Sequence, residues 1–517
     1  MQYTSFLDAR EIGSSTNIGA DLCIVGAGAA GITIAREFAN TGVHVCLLEA
    51  GGLLVDPLVN GLSEIEDVGH PYKGVNGARL RYFGGTTNHW GGHCVPLQPD
   101  DFEKRAWIAY SGWPYDYNEL RPYYVRAHDV LKLGEFDYDP EIIGSALGLE
   151  TFPFDKTRVV TTVSRYNRVR FGLTYGDELD RAKNIQVVLY ADVSAILMED
   201  SASDKVDYLL VKSIAGTQFQ VRARYFVIAC GGIENARILL LSNQQRSTGI
   251  GNHSDLVGRF FQEHLWYISG YIVPRTGNLA LRYYLGEWPY GNIGVRAHIA
   301  LPSNKVQELQ IPKFRSEILP VSAALQLIHA IKNKVSIDDI LALMSDPVGI
   351  GNFARCRSSA APTAYHFLNN VEQTPNPDSR VKLSAKKDPF DRPHPQLDWK
   401  LSRIDQEGVV KAQHLIAQEV VRSGFGRMRI EMAEGTDEFL EGCGTGPHQM
   451  GTTRMDDDPA RGVTDGNAKV HNTHNLYVAG SSLFPTCGWA NPTLTIVATS
   501  IRLADHLRKR FQVDGNI

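Results

Sequence analysis

A glycine-rich turn at residues 26–31 constrains this chain more than any other stretch. An apolar run, Leu22 to Val25, precedes the turn, and apolar side chains at helical spacing follow it. The turn consists of Gly26, Ala27, Gly28, Ala29, Ala30 and Gly31. In a strand–turn–helix unit the first glycine permits the tight turn, the second lets the backbone approach a pyrophosphate, and the third lets the helix pack on the strand. The pattern therefore predicts a dinucleotide site.

A carboxylate supports that prediction. A second apolar run, Val43 to Leu48, ends on Glu49, which lies 23 positions after Gly26. The spacing is close to the roughly 20 residues at which an acidic side chain accepts a hydrogen bond from a ribose hydroxyl. The helix N-terminus after the turn would present free N–H groups to an anion. Strand, turn, helix, second strand and acid together indicate a Rossmann-like domain.

Length and composition set the broad class. A chain of 517 residues is too long for one core and indicates two or three domains. Its 43% hydrophobic and 21% charged residues are ordinary for a globular protein, and a net charge of −5 predicts no nucleic-acid partner. Seven scattered cysteines without a CxxC pair predict reduced thiols, no metal site and a cytoplasmic protein. We expect no signal peptide and no membrane span.

A second glycine-rich stretch, FGGTTNHWGGHCVP, covers residues 83–96. Its candidate ligand contacts are Gly85, Thr86, Asn88, His89, Trp90, Gly91 and Gly92. Such a loop lets backbone N–H groups approach a flat polar ligand. The alternative is a surface loop around a structural histidine, but Trp90 is a poor choice for a solvated loop.

The middle of the chain changes character. Period-2 patterning from Ile185 predicts a three-stranded meander that returns to the main sheet, and its last strand meets Gly231 and Gly232 before a helix. Residues 265–440 combine an apolar helical pattern at 324–344 with strand-like VKL and QLDWKL segments. We expect an inserted domain with an antiparallel sheet that recognises the substrate.

The C-terminal part is again rich in signals. The segment GTGPHQMGTTRM, residues 444–455, places His448 among glycines and threonines, and a strand ends at Gly480. Asn491 stands at the predicted N-cap of a helix and Pro492 at its first position, where the missing N–H costs nothing. The positive end of this helix should face the ligand.

These motifs together resemble the glucose–methanol–choline (GMC) family of FAD oxidoreductases. The resemblance rests on GAGAAG with Glu49, GGTTNHWGG, VGRFFQEH at 257–264, HQMGTTRM and NLYVAGSSLFP followed by NPT. It spans nearly the whole chain, although residues 265–440 match only loosely. The His–Trp pair after GGTT and the asparagine of NPT are similar to the branch of pyranose oxidases, C-glycoside 3-oxidases and sugar dehydrogenases.

The resemblance implies an α/β fold in which an inserted α+β substrate domain, built on an antiparallel sheet, interrupts the FAD domain. Residues 1–264 and 441–517 would form the FAD domain, and 265–440 the substrate domain. Gly26, Gly28, Ala29, Ala30, Gly31 and Glu49 would bind the ADP part, and Val193 would contact adenine through its backbone. Thr86 to Gly92 would face the isoalloxazine, with Gly480, Asn491, Pro492 and Thr493 on its ribityl and pyrimidine side.

The implied activity is oxidation of a sugar, glycoside or polyol hydroxyl to a carbonyl, with O₂ or another acceptor taking the electrons. His448 would be the base, since a neutral imidazole is suited to accept the hydroxyl proton, and Asn491 would direct its amide at the same oxygen. His264, at the end of VGRFFQEH, is expected behind the cofactor.

Several alternatives stay open. In similar pyranose oxidases a histidine at the position of His89 is joined to the flavin 8α-methyl, but we favour a packing or hydrogen-bonding role for His89 over such a link. The same flavin chemistry on an apolar alcohol such as a sterol, or a non-redox use such as a lyase, would also fit the motifs. The sequence does not separate an oxidase from a dehydrogenase, and it leaves a homo-oligomer open.

Overall fold

The computed structural model describes residues 3–72, 74–275, 279–320, 364–432 and 442–515. The helix expected at 324–344 lies outside these residues. The described chain is a mixed α/β protein with three sheets, as predicted for the fold class. In these residues no helix is long and apolar enough to cross a membrane.

The strands of the described residues run in chain order as follows. They are β1 (Leu7–Asp8), β2 (Asn17–Val25), β3 (Val45–Leu48), β4 (Glu66–Asp67), β5 (His93–Cys94), β6 (Val160–Tyr166), β7 (Ile185–Leu189), β8 (Asp192–Met198), β9 (Val206–Lys212), β10 (Gln218–Ile228), β11 (His264–Pro274), β12 (Trp288–Tyr290), β13 (Ile293–Ala300), β14 (Phe314–Pro320), β15 (Tyr365–Glu372), β16 (Arg380–Lys387), β17 (Pro393–Asp398), β18 (Gly426–Ile430), β19 (Gly444–Thr445) and β20 (Leu476–Val478).

Nine α-helices lie between these strands or after them in the described residues. They are α1 (Ala29–Glu37), α2 (Pro57–Gly61), α3 (Tyr117–Leu131), α4 (Pro140–Leu147), α5 (Phe171–Arg181), α6 (Glu234–Leu241), α7 (Ser303–Leu309), α8 (Arg403–Arg422) and α9 (Thr493–Val513).

The first sheet contains the predicted βαβ unit. Its order is β1-β7-β3-β2-β10-β9-β8, and β20 pairs with β10. The pairs from β1 to β10 and the β10–β20 pair are parallel, whereas β8, β9 and β10 form the predicted antiparallel meander. Residues Leu22 to Val25 of β2 and all of β3 are buried apolar runs, as parallel strands covered on both faces require. The C-terminal α9 packs on α1 and α3, so both ends of the sequence build this domain.

The second sheet is antiparallel. Its order is β18-β11-β15-β14-β13-β6-β5, with β12 beside β13 and β19 beside β11. Most of its strands come from residues 265–440, but β5, β6 and β19 do not. The sheet therefore extends past the expected domain boundaries, because it pairs with strands from both halves of the FAD domain.

The two faces of the second sheet differ in polarity. One face carries apolar residues such as Leu265, Ile299, Phe314 and Val371, which form one hydrophobic core with residues of α8. The other face carries Arg296 and His298 of β13 and Arg315 and Glu317 of β14. A smaller sheet contains β16, β17 and β4, and the antiparallel β16–β17 pair confirms the strands expected at VKL and QLDWKL.

Candidate functional site

Close backbone packing fixes the glycine turn between β2 and α1. Gly26 has φ +99°, and a Cβ there would lie 2.6 Å from the carbonyl oxygen of Ala229. A Cβ on Gly31 would lie 1.9 Å from the carbonyl oxygen of Gly26, so α1 packs directly on the turn. In contrast, a Cβ on Gly28 would meet no atom of the described chain within 4 Å. The second glycine, which is also the N-cap of α1, leaves the backbone open to the adjacent cleft.

Glu49 lies at the end of β3 and supports the same turn. Its carboxylate accepts hydrogen bonds from the backbone N–H groups of Ala27, at 2.8 Å, and Gly51, at 2.9 Å. Burial raises the pKa of this carboxyl above its ordinary value, although the two N–H donors oppose the shift. Each oxygen keeps a second lone pair, so the predicted bond to a ribose hydroxyl is compatible with these contacts.

A cleft runs along the carboxyl ends of the parallel strands. Of the residues predicted from the sequence, Gly26, Gly28, Ala29, Ala30, Glu49, Gly85, Thr86, Val193 and Gly480 line it. Gly31, Asn88, His89, Trp90, Gly91, Gly92, Asn491, Pro492 and Thr493 lie outside this lining. The cleft thus joins the N-terminal turn, the 83–96 loop, the meander and the C-terminal strand end.

Sequence reasoning missed the charged side chains of the cleft. These are Arg79, Arg81, Asp192, Glu234, Arg237 and Arg392. Glu234 forms ion pairs with Arg79, Arg81 and Arg237. Burial alone would raise the pKa of its carboxyl, but the arginines outweigh burial and lower the pKa to about 2. Arg79 and Arg81 stand in the segment ARLR, whereas Arg237 and Arg392 lie far away in the sequence. No regular spacing indicates that the four side chains meet in one cleft.

The lining residues fit a dinucleotide such as FAD. Open backbone at Gly28 and the first turn of α1 can receive a pyrophosphate, since a helix N-terminus attracts an anion. The four arginines of the lining are already paired with Asp192, Glu234 and Asp388. The fit therefore rests on the open backbone at the glycine turn.

The 83–96 loop is held by its own side chains. Asn88 donates from Nδ2 to the carbonyl oxygen of Phe83 at 2.7 Å and accepts from the N–H of Gly172 at 3.1 Å. Trp90 donates from Nε1 to the carbonyl oxygen of Val169 at 2.9 Å. These two predicted ligand contacts are thus engaged in holding the loop.

The same loop reaches the cleft at its start. A Cβ on Gly85 would lie 3.3 Å from Cα of Gly28, so the two glycine turns pack on each other. His89 lies further along, with Nδ1 at 3.2 Å from the hydroxyl oxygen of Tyr82. A link from His89 to a flavin stays a prediction.

His448 and Asn491, predicted as the catalytic pair, lie side by side. Nδ2 of Asn491 is 3.3 Å from Nε2 of His448. The next residue after His448, Gln449, lines the cleft together with Gly480. The pair therefore lies beside the end of the cleft that the C-terminal strand closes.

The predicted helix cap at Asn491 is wrong. Helix α9 begins at Thr493, with Pro492 as its N-cap residue. Oδ1 of Asn491 instead accepts a hydrogen bond from Nη2 of Arg315 at 3.0 Å. The side chain of Asn491 therefore does not cap the helix, and its Nδ2 group points toward His448.

Two buried residues lie behind His448. Nδ1 of His448 is 2.8 Å from Nδ1 of His264, whose Nε2 is 3.0 Å from the carbonyl oxygen of Gly488. Glu263 accepts from the backbone N–H groups of His264, at 2.8 Å, and His448, at 2.6 Å. Its second oxygen accepts from the hydroxyl of Tyr72. The carboxylate thus holds both histidine backbones in place.

Electrostatics favour the neutral form of both rings. Burial, then His264, Arg315 and His93, lower the pKa of His448 well below its ordinary value of 6.5. Burial is also the main cause that lowers the pKa of His264 to about 4. A neutral His448 is the form that can accept a proton.

The polar face of the antiparallel sheet reaches this pair through Arg315. Nη1 of Arg315 is 2.9 Å from Oγ of Ser164 and 2.8 Å from Nε2 of His298, and Nη2 is 3.4 Å from Oε1 of Glu317. Register places Trp266, Asn370 and Arg315 directly beside one another on adjacent strands. His93, His298 and Arg296 extend the face across β13 and β5.

Buried polar atoms on this face have unused hydrogen-bonding capacity. Within the described ranges, both Nδ2 and Oδ1 of Asn370 and Nε1 of Trp266 are buried without a hydrogen-bond partner. A Cβ on Gly446 would lie 3.1 Å from Nε1 of Trp266 and 2.8 Å from Nδ1 of His448, so both rings border the same spot. Unpaired buried polar groups are costly, and they therefore point to a polar ligand beside the base. The only sequence signal for this face is the alternation of charged and apolar residues in β13 and β14.

Comparison with known proteins identifies relatives of this chain. The GMC oxidoreductase family model matches residues 375–500, which contain His448 and Asn491. Paromamine 6'-oxidase of Streptomyces fradiae is 27% identical over 94% of this chain and 90% of its own length. The fructose dehydrogenase large subunit of Gluconobacter japonicus is 24% identical over 95% of this chain and 98% of its own length.

A solved structure shows the same fold. Pyridoxine 4-oxidase from Mesorbium loti matches with a TM-score of 0.59 and 17% identity, and the match covers 95% of this chain and 99% of that one. The likeness therefore concerns the fold of nearly the whole chain.

Proposed function

Since the chain belongs to the GMC family of FAD-dependent oxidoreductases, we propose that it oxidises a hydroxyl of a sugar, glycoside or polyol to a carbonyl. The observation that carries this proposal is the contact of Arg315 with Asn491, because it joins the base to a buried polar face. Relatives that oxidise paromamine and fructose, by their names, support the same substrate class.

In this proposal Nε2 of His448 accepts the hydroxyl proton of the substrate. Bound FAD would supply the acceptor for the hydride that leaves the same carbon, which becomes the carbonyl carbon. An alcohol with a pKa on the order of ~15 is too weak an acid to ionise unaided, so the base must act as the hydride leaves. Asn491 donates from Nδ2 to the substrate oxygen and so fixes its position next to His448.

The polar face favours a sugar over an apolar alcohol. A sterol site would need a large apolar lining, whereas Arg315, Glu317, His298 and Asn370 bring charge and unused hydrogen bonds to the space beside the base. Vicinal hydroxyl groups can pair with such donors and acceptors, while a hydrocarbon would leave them buried and unpaired.

An anaerobic flavin-reduction screen tests the substrate class. The holoenzyme is mixed without oxygen with sugars, glycosides, polyols and sterols, and the visible absorbance of oxidised flavin is followed. The proposal expects bleaching by a member of the first three groups. Bleaching by sterols alone, or by none of the compounds, would contradict it. Admission of air afterwards separates an oxidase from a dehydrogenase.

Two neighbouring asparagines supply a matched test of the face. Asn370 lies on the polar face, whereas the side chain of Asn369 is bonded to Ser316, Ser269 and Gln413 on the other face. Asn370→Leu should raise KM for the substrate about fivefold, since a hydrogen bond contributes about 1 kcal/mol. Asn369→Leu should lower the melting temperature and leave KM unchanged. Equal KM values in both variants would exclude the polar face from binding.

A further inference from the structure

The carbonyl of Gly488 determines which nitrogen of His264 carries hydrogen. Nε2 of His264 lies 3.0 Å from that oxygen, and a carbonyl oxygen only accepts. Nε2 must therefore be the donor. His264 is fully buried and neutral at neutral pH, because burial lowers its pKa to about 4. A neutral imidazole with hydrogen on Nε2 has a bare Nδ1, which can only accept.

This bare nitrogen determines the form of His448. The two Nδ1 atoms are 2.8 Å apart, so a hydrogen must lie between them and His448 must supply it. His448 is neutral as well, since burial is the first cause that lowers its pKa. Its single hydrogen is thus on Nδ1, and Nε2 is bare.

The contacts at Nε2, on the opposite side of the His448 ring, independently indicate the same tautomer. Arg315 can only donate, so the Asn491 atom that it contacts at 3.0 Å is the amide oxygen Oδ1. The amide NH₂ group then faces Nε2 of His448, at 3.3 Å. Because that NH₂ only donates, Nε2 must be an acceptor. Two chains of contacts, one ending at Gly488 and one at Arg315, thus both place the hydrogen of His448 on Nδ1.

We propose that His264 is a positioning residue that holds His448 in its Nδ1–H form and so keeps Nε2 bare to receive the substrate proton. The proposal rests on the proposed role of His448 as the base. The carboxyl of Glu263 accepts from the backbone N–H groups of both residues and leaves the ring nitrogens to each other. Arg315 acts on both rings electrostatically, Glu372 on His264 and His93 on His448. With no acceptor at position 264, His448 can move its hydrogen to Nε2, where it blocks the base.

Two variants separate positioning from packing. His264→Phe keeps a ring of similar size but has no acceptor, whereas His264→Asn is smaller but places its amide oxygen near the position of Nδ1. We expect His264→Phe to lose about tenfold to a hundredfold in the rate of flavin reduction with little change in KM, as for partners that orient a functional histidine. His264→Asn should recover most of that loss although it packs worse. If His264→Asn is at least as slow as His264→Phe while both retain FAD, the inference is wrong.

Nitrogen-15 NMR of the ¹⁵N-histidine-labelled holoenzyme tests the inference directly. The signals of His448 are assigned by their loss in His448→Gln. Near neutral pH we expect Nδ1 of His448 with a bound hydrogen and Nε2 without one, and a shift toward the Nε2–H form in His264→Phe. An Nε2–H form in the wild-type protein would overturn the inference. This readout needs no substrate, so failure of the proposed function in the flavin-reduction screen is separately visible.

Discussion

The guanidinium of Arg315 donates from Nη2 to Oδ1 of Asn491 at 3.0 Å. This contact fixes the orientation of an amide whose NH₂ group faces the imidazole of His448. The orientation matters because an amide that donates to a bare nitrogen can equally donate to a substrate oxygen bound in the same place.

Replacement of Asn491 tests that orientation. Asn491→Ala removes the donor and should slow flavin reduction by substrate about fivefold, since a positioning hydrogen bond contributes about 1 kcal/mol. Asn491→Asp keeps the contact to Arg315 but places a carboxylate beside Nε2, which favours a protonated imidazole. Its rate should fall further at neutral pH and recover as pH rises. Stopped-flow measurement of the flavin-reduction rate over a range of pH tests both variants. A pH profile of Asn491→Asp identical to that of the wild type would contradict this account.

The glycine turn allows a matched test of cofactor binding. Gly28→Ala adds a methyl group where the described chain leaves room, so the apoprotein should fold normally but bind FAD more weakly. Gly31→Ala forces a methyl group to 1.9 Å from a carbonyl oxygen, so it should lower the melting temperature of the apoprotein. Flavin content after gel filtration and thermal unfolding measure the two effects. Full flavin content in Gly28→Ala would place the pyrophosphate elsewhere.

Buried Glu263 predicts a pH-dependent stability. Burial raises the pKa of its carboxyl from 4.5 to about 7 despite three donors. The folded protein then binds this proton more tightly than the unfolded chain, so the stabilisation is full below about 4.5 and is lost as pH rises through about 7. Glu263→Gln mimics the protonated form. Its advantage over wild type in unfolding free energy should grow between pH 5 and 8, by on the order of 3 kcal/mol. A difference that stays constant with pH would contradict the prediction.

The pH profile of substrate oxidation follows from the environment of His448. Burial, His264, Arg315 and His93 lower its pKa well below 6.5. Because the neutral ring is the base, the rate constant of flavin reduction should stay level as pH falls past 6.5 and decline only at lower pH. A decline centred at or above 6.5 in anaerobic stopped-flow traces would show a base in a different environment.

Local patterns predicted the glycine turn because its parts follow one another in the chain. The strand, the glycines at 26, 28 and 31 and the following helix all lie within residues 17–37. His448 and Asn491 each stand in a motif of their own, and the resemblance joined them. The helix start at Thr493 differed by one position because a cap is decided by side-chain partners, and Arg315 competes for Asn491.

The polar face was not predicted for a physical reason. Arg315, His298, Trp266 and Asn370 come from four strands, and only the pairing register places them on one surface. Likewise, nothing in VGRFFQEH indicates that His264 contacts His448, which lies 184 positions away. Whether the charged face of a strand is buried depends on the tertiary structure. From the sequence alone, alternating charged and apolar residues indicate only an ordinary half-exposed strand.

The anaerobic rate of flavin reduction in His448→Ala tests the central claim most directly. The variant should retain FAD, because His448 lies outside the cleft lining, and it should lose at least about a hundredfold in rate with substrate, the contribution of a general base. Flavin reduction by His448→Ala at the wild-type rate would contradict the account, and the base would then have to be a different residue.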